Sequence, residues 1–171
     1  MKKFFFALAL FTLQFSLGQK ELDLILTKYN NKSIPYISVE TLATSISETL
    51  LLDSREEEEY EISHIKGAVH VGYKQFNIAD FIKNTPRKTD MIVIYCSLGV
   101  RSEIIGEKIK AAGYTNIKNL YGGIFEWKNK TYKVYNSNNQ ETDSIHAFSK
   151  KWGKMLNNGI KYYPKTKTNN D

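Results

Sequence analysis

Short apolar runs alternate with amphipathic stretches along the chain, and each run has the length of one strand or one helix. The strand-like runs are 36–38, 49–52, 67–71, 91–95 and 117–121. The helix-like stretches are 21–29, 39–46, 56–60, 76–82, 102–112 and 122–128. Strands that alternate with helices are typical of α/β domains. We therefore predict a three-layer fold with a central, largely parallel five-stranded sheet flanked by helices.

Local signals support several of these elements. Ser38 lies at the expected N-cap of the helix 39–46, and Gly113 follows the helix 102–112 as its C-cap. The buried face of this second helix is predicted to carry Ile104, Ile105 and Ile109. The acidic run Glu56–Glu59 is interpreted as a solvated helix face.

The composition becomes polar after about residue 130, and this change divides the chain. We predict a helical lead-in over 19–36, one domain over 37–130 and an extension over 131–171. The extension is expected to contain a polar linker at 136–140, an appended helix over 144–156 with Phe148 and Trp152, and a disordered tail from 165. That helix either packs back onto the domain, which we expect, or serves for docking.

The first eighteen residues have the pattern of a cleaved signal peptide. A short basic start precedes an apolar run over 4–13, and the small residues Ser16 and Gly18 fit cleavage before Gln19. A membrane anchor is the alternative, but the run is shorter than the about twenty apolar residues that a span needs. We expect an exported protein, periplasmic or extracellular, with no stable membrane insertion after cleavage.

Charge says little about partners. The 171 residues carry a formal net charge of +6, and two of the positive charges, Lys2 and Lys3, belong to the predicted signal peptide. There is no basic stripe interleaved with aromatic residues, so we expect no nucleic-acid binding. His64, His70 and His146 lack the spacing of metal ligands. No spare cysteine could complete such a site, so we expect no metal and no cofactor.

Cys96 is the only cysteine of the chain, and it directly follows the apolar run 91–95. Ligands of open α/β sheets bind outside the carboxyl ends of the strands. Backbone N–H groups of the following loop and the charge of Arg101 favour a thiolate there, which predicts a nucleophile. The alternatives are a thiol that forms an intermolecular disulfide and an inert buried thiol.

Four motifs occur in order along the predicted domain. They are Leu51–Arg55 with Glu59–Tyr60, His64–Ala68, Cys96–Ser102 and Tyr121–Trp127. Together they resemble the rhodanese-like sulfurtransferase family in its single-domain, exported bacterial form, over about residues 37 to 129. A Cys-x-x-x-x-Arg string alone would be a weak signal, but the four motifs together are specific.

The resemblance implies that Cys96 accepts a sulfane sulfur as a persulfide and passes it to a thiol or to cyanide. The loop that follows would form an anion-binding nest of N–H groups. Its members are Ser97, Leu98, Gly99, Val100, Arg101 and Ser102. Gly99 allows the positive φ that such a curl needs. The expected donor is a small sulfur-containing anion, namely thiosulfate, polysulfide or a persulfide, and Ser97, where a basic residue would help, disfavours thiosulfate.

Several roles stay open at this point. Arg101 either contributes positive potential to the pocket or pins the loop by pairing with a carboxylate. Asp53 and Arg55 form an ion pair that either shapes the site or supports the fold. His64 is either a general base or, as we favour, a structural hydrogen-bonding residue.

Two other functions compete with enzymatic sulfur transfer. One is a persulfide carrier or protein-interaction module without turnover. The other is a cysteine phosphatase or arsenate reductase, which in rhodanese-like folds uses a Cys-x5-Arg loop. Four residues separate Cys96 from Arg101 here, and the shorter loop fits a single sulfur atom better than a phosphoryl group.

Overall fold

The computed structural model of the protein describes residues 20–85 and 87–164. Its centre is a parallel sheet of five strands in the order β1-β5-β4-β2-β3. The strands are β1 (Tyr36–Ile37), β2 (Leu50–Asp53), β3 (Val69–His70), β4 (Ile92–Tyr95) and β5 (Ile117–Leu120). This confirms the predicted α/β class and the largely parallel five-stranded sheet.

Helices cover both faces of the sheet. They are α1 (20–29), α2 (Val39–Ser45), α3 (Glu57–Ile62), α4 (Ile78–Asn84), α5 (Arg101–Ala111) and α6 (Gly123–Asn129). One turn of 3-10 helix, Ile46–Glu48, directly follows α2. The side chain of Ser38 accepts a hydrogen bond from the N–H of Thr41, so the predicted N-cap of α2 is confirmed.

The alternating side chains of β4 build two separate cores, one on each face. Val93 and Tyr95 pack with residues of α1, α2 and α6, whereas Ile92 and Ile94 pack with residues of α4 and α5. All four side chains are fully buried. A strand that is covered on both faces reads as a continuous apolar run, which is why the sequence pattern identified β4.

One predicted core position is wrong. Ile104 is 38% exposed, while Ile105 and Ile109 are fully buried. The buried face of α5 is instead formed with Ser102 and Gly106, whose spacing follows the period of an α-helix. An added Cβ at Gly106 would lie 2.9 Å from Cγ1 of a buried Ile34, so this position admits no larger residue without a shift.

The extension differs from its prediction. The expected linker 136–140 is the turn of a hairpin between β6 (Val134–Tyr135) and β7 (Glu141–Thr142). The expected helix over 144–156 is a strand, β8 (Ser144–His146), followed by a turn and a 3-10 helix, Trp152–Met155. A last strand, β9 (Ile160–Tyr162), pairs in parallel with β8.

The extension packs back onto the domain, as we favoured. Ile145, Met155 and Leu156 belong to the same core cluster as Leu22 of α1 and Ile124 of α6. The predicted signal peptide 1–18 and the predicted tail 165–171 lie outside the described residues. Among the residues that are described, no helix is long and apolar enough to cross a membrane.

The start of α6 is the tightest junction between the fold and the loop after β4. Gly123 has a φ of 57°, and a Cβ there would lie 2.8 Å from the carbonyl oxygen of Ser97 and would collide with that of Cys96. The N–H of Ile124 donates to the Cys96 carbonyl at 2.9 Å, and that of Phe125 to the Ser97 carbonyl at 3.2 Å. The loop and α6 are therefore fixed against each other.

We expect Gly123→Ala to lower the free energy of unfolding by at least twice as much as Gly67→Ala. Gly67 also has a positive φ, 79°, but an added Cβ meets nothing within 4 Å, so its cost is the backbone strain of about 1–2 kcal/mol. Urea unfolding of both variants measures the difference. Equal losses would show that α6 moves away from the loop without cost.

Candidate active site

Cys96 lies directly after β4, at the carboxyl end of the most buried strand of the sheet. Its side chain is 2% exposed. The carbonyl of the preceding Tyr95 accepts hydrogen bonds from the N–H and the hydroxyl of Ser54, at 2.9 and 2.8 Å. These bonds join the ends of β2 and β4 and fix the backbone that leads into Cys96.

Backbone N–H groups of the loop stabilise the sulfur. The N–H of Gly99 donates to Cys96 Sγ at 3.1 Å, and the backbone N–H of Ser102 also lowers the pKa of the thiol. The Ser102 hydroxyl oxygen lies 3.6 Å from Sγ, and its one proton is directed at Asn119 Oδ1. Gly99 has a φ of 108°, which confirms the predicted left-handed conformation of this residue. The loop thus curls around the sulfur and places polar hydrogens towards it.

The carbonyl group of Gly99 is bonded by two asparagine side chains. The carbonyl of Gly99 accepts from Nδ2 of Asn119 and from Nδ2 of Asn30, each at 2.8 Å. Asn119 is fully buried on β5 and its Oδ1 accepts from the Ser102 hydroxyl at 2.8 Å. Because the carbonyl is held away from the sulfur, the loop can present N–H groups to it.

Arg101 forms a two-pronged ion pair with Glu59 of α3. Nη1 lies 2.6 Å from Oε2, Nη2 lies 2.8 Å from Oε1, and Nη2 also donates to Ser97 Oγ at 3.1 Å. Glu59 is 1% exposed, and its Oε1 also accepts from the Ser97 hydroxyl at 3.2 Å. Arg101 thus forms the carboxylate pair that pins the loop, and its charge also acts on Cys96.

The environment favours the thiolate of Cys96. Burial raises the pKa of the thiol, but the charge of Arg101 and the donors Ser102 and Gly99 lower it by more, so the pKa lies below its ordinary value. Burial likewise raises the pKa of the Glu59 carboxyl, and the bonds and charge of Arg101 lower it by more. Arg101 and Glu59, which form the ion pair at the loop, are therefore both charged at neutral pH.

Two side chains of the extension reach this site. The ring of Phe148 lies over the guanidinium of Arg101, with 4.8 Å between the ring centroid and Cζ. Phe148 has a φ of 61° and is about half exposed. His146 lies behind it, buried, and its Nδ1 accepts from the Phe148 N–H at 3.2 Å.

His146 is neutral in this position. Burial lowers its pKa, and the nearby charge of Glu59 offsets only part of that effect. Because Nδ1 accepts a hydrogen bond, Nε2 carries the proton, and this buried atom has no hydrogen-bond partner among the described residues. The 3.8 Å between Nδ1 and Glu59 Oε1 is thus a contact and not an ion pair.

Asp53 and Arg55 form the predicted ion pair, and both are fully buried. Nη2 of Arg55 donates to Asp53 Oδ2 and to the Ser63 carbonyl, each at 2.6 Å. The guanidinium also lies 5.7 Å from the ring centroid of Tyr95. The pair joins the end of β2 to the end of α3 beneath the loop, and its described hydrogen bonds are to groups outside residues 96–102.

His64 follows the C-terminal end of α3, directly after Ser63. Its Nδ1 is 3.1 Å from the carbonyl of Tyr60, its backbone pairs with Tyr135, and its ring stacks on Tyr60 with centroids 4.0 Å apart. The described contacts are those of a structural histidine. A general-base role for His64 stays a prediction without a supporting contact.

Four residues of the site were not predicted as such from the sequence, and the position of a fifth was misjudged. The missed residues are Asn30, Asn119, His146 and Phe148. Glu59 was interpreted as part of a solvated face, which is wrong because it is buried against Arg101. Asn119 left a signal, since the period of two along β5 places its amide on the same face as the apolar Ile117. Phe148 was predicted only as a packing or docking residue of the extension. Asn30 and His146 left no signal, because α1 and the extension approach the loop only through tertiary packing.

Among the described residues, no three His, Cys, Asp or Glu side chains come together as ligands for a metal ion.

Comparisons with known proteins agree with this geometry. The model of the family described as Rhodanese-like domain matches residues 38–130. Bacillus subtilis YrkF, named as a sulfur carrier protein, is 36% identical over 105 residues, which are 60% of this chain and 55% of that protein. A tRNA uridine(34) hydroxylase of Staphylococcus epidermidis is 32% identical over 79 residues, which are 44% of this chain and 25% of the hydroxylase. The matched region thus spans about half of one relative and a quarter of the other.

Solved structures show the same fold. A thiosulfate sulfurtransferase from Pseudomonas aeruginosa has a TM-score of 0.57 at 19% identity, over 81% of this chain and 26% of that one. A rhodanese-like domain from Anabaena sp. has a TM-score of 0.54 at 20% identity, over 60% of this chain and 79% of that one. At these identities the likeness concerns the fold alone.

We expect the alkylation of Cys96 by iodoacetamide to reach half its maximal rate at a lower pH than that of an ordinary cysteine. Only the thiolate reacts, and a lowered pKa preserves it towards lower pH. Ser102→Ala should move the midpoint to higher pH, and Arg101→Ala should move it further. Arg87→Ala, which removes an exposed arginine paired with Asp90, serves as the control and should leave it unchanged. A midpoint that no variant moves would contradict this assignment.

We expect Asp53→Asn to lower the free energy of unfolding by about 3–5 kcal/mol, because Arg55 would remain buried without its counter-charge. Asp53→Leu with Arg55→Leu should recover part of the loss, since no uncompensated charge remains. Urea unfolding measures both. If the pair instead acts in the chemistry, the single variant will remain stable while the alkylation midpoint of Cys96 shifts.

Proposed function

Since the chain belongs to the rhodanese-like domain family, whose model matches more than half of it, we propose that it transfers a sulfane sulfur through a persulfide on Cys96. The observation that carries the proposal is the environment of the Cys96 sulfur. A lone thiol with a lowered pKa lies in a loop whose backbone N–H groups, those of Gly99 and Ser102, stabilise the sulfur. A persulfide is also an anion, and the same donors would stabilise its outer sulfur.

The reaction has two displacements. The Cys96 thiolate attacks the sulfane sulfur of the donor, a new S–S bond forms, and the donor leaves with the electron pair of its broken bond. An acceptor thiolate then attacks the outer sulfur, the S–S bond to Cys96 breaks, and Cys96 leaves as a thiolate. No electrons are gained or lost overall, so neither step needs a redox partner.

The charge at the mouth of the loop favours a donor of low charge. Arg101 is the only cation within residues 96–102, and its prongs are engaged by Glu59 and Ser97 while the ring of Phe148 covers one of its faces. A dianion such as thiosulfate finds little uncompensated positive charge there. We therefore propose a thiol-borne persulfide or an organic polysulfide, whose reacting sulfur atoms carry at most one negative charge, as the natural donor.

A persulfide carrier without turnover is the second candidate. The near-complete burial of Cys96 favours it, because a sheltered persulfide is slow to react with small molecules. The similarity to a protein named as a sulfur carrier points the same way. The two candidates share the loaded state and differ in whether small acceptors discharge it.

Export belongs to the proposal as well. It is supported by the basic start, the apolar run and the small residues before Gln19. The protein would then act in the periplasm or outside the cell.

Intact mass spectrometry tests the function. Purified protein is treated with an organic polysulfide or, separately, with thiosulfate, and then with cyanide. We expect a gain of one sulfur that requires Cys96, is faster with polysulfide by about tenfold or more, and is released as thiocyanate. The same spectra report whether the secreted chain begins at Gln19.

Cys96→Ser is the control for the site of loading. Loading that cyanide does not discharge would favour the carrier. A reduced, folded protein that gains no sulfur from either donor would exclude both candidates. Faster loading by thiosulfate would overturn the choice of donor and leave the sulfur transfer intact.

A further inference from the structure

A groove of about 210 Å³ lies between α1 and the 3-10 helix Trp152–Met155. Its apolar lining is Leu24, Ile25, Tyr29, Trp152 and Met155. Leu24 is 71% exposed and Tyr29 is 45% exposed. Both walls come from segments outside residues 38–130, the part of the chain that matches the family model. The groove is thus a feature of this chain beyond the shared domain.

The rim of the groove is cationic. Lys28 and Lys151 line it, and Lys150 and Lys154 are exposed on the same turn of the extension. Glu21 is the one carboxylate among the lining residues. This charge is complementary to a partner that carries carboxylates beside an apolar side chain.

The aromatic residues of the groove are already engaged with each other and with lysines. The rings of Tyr29 and Trp152 meet edge to face at 5.9 Å. The ammonium of Lys28 lies 5.3 Å from the Tyr29 ring, and that of Lys151 lies 4.9 Å from the Trp152 ring. Base stacking needs free ring faces, so an apolar side chain on the aliphatic floor fits better than a nucleic acid.

The two segments that form the walls of the groove contact the active loop just beyond the groove. Asn30, the neighbour of Tyr29, donates to the Gly99 carbonyl. Phe148, four residues before Trp152, covers Arg101. A partner seated between Tyr29 and Trp152 would therefore lie beside the loop that holds Cys96.

We propose that this groove docks the sulfur acceptor, a protein with a cysteine close to an apolar side chain flanked by carboxylates. The inference rests on the proposed sulfur transfer and assigns its acceptor class. Once docked, the acceptor thiolate attacks the outer sulfur of the Cys96 persulfide. The S–S bond to Cys96 breaks, Cys96 leaves as a thiolate, and the acceptor carries the persulfide.

Two synthetic peptides of equal length test the proposal. Each has one cysteine and one leucine, flanked by glutamates in the first peptide and by lysines in the second. Persulfide-loaded protein is mixed with each peptide, and its discharge is followed by intact mass. Each rate is divided by the rate of the same peptide with glutathione persulfide, which removes differences in intrinsic thiol reactivity.

We expect the acidic peptide to discharge the protein at least about tenfold faster than the basic one at low ionic strength. The preference should shrink at about 0.5 M salt, where screening acts within a few ångströms. Lys28→Glu with Lys151→Glu should remove or reverse it, and Trp152→Ala should slow the acidic peptide. Lys83→Glu changes an exposed lysine on α4 and should retain the preference.

Cyanide discharge separates the two proposals, since it needs no docking and should proceed equally in all of these variants. If cyanide works and the peptides react equally, docking at the groove is wrong and sulfur transfer stands. A preference that survives the double charge reversal also overturns it. Two other results would also show that the groove has a different occupant. The protein could bind anionic lipid vesicles, or it could dimerise, and Trp152→Ala would abolish that binding while the peptide rates stay the same.

Discussion

A buried sulfur anion has to be stabilised without water, and the peptide group of Gly99 shows how this chain does it. Its N–H donates to the sulfur of Cys96, while its carbonyl is bound by Asn30 and Asn119. Each bond contributes about 1 kcal/mol, but a reversed peptide would leave buried polar groups unpaired at about 1–3 kcal/mol each. The positive φ of this residue, the polar position on β5 and the approach of α1 all serve this one orientation.

Charge balance is the second constraint around the loop. The Arg101–Glu59 pair stabilises the thiolate through the cation and at the same time neutralises most of the charge that a polyanion would seek. The pair also joins α3 to the loop, so it has a structural part in addition to its electrostatic one. Phe148 packs on Arg101 and the neutral His146 lies beside Glu59, so neither residue adds a charge to the pair.

The sheet and its helices were predictable because their signals are local. β4 is a continuous apolar run, α2 has a serine cap, and Gly99 marks the left-handed turn. The extension was not predictable, because β8 pairs with a strand more than a dozen residues away and because Phe148 takes a left-handed conformation that no local pattern signals. Glu59 was misread for a related reason, since an acidic run gives no sign of which carboxylate turns inward to meet a distant arginine.

The pairing of β8 and β9 has a consequence for how such proteins diversify. Within the described residues these strands hydrogen-bond to each other and form no ladder with the central sheet. The extension reaches the Arg101–Glu59 pair through two described side chains, His146 and Phe148, whereas the backbone around the sulfur comes from the matched domain. A change in these two side chains would therefore alter which molecules approach the sulfur, while the N–H of Gly99 that stabilises it belongs to the region that matches the family model.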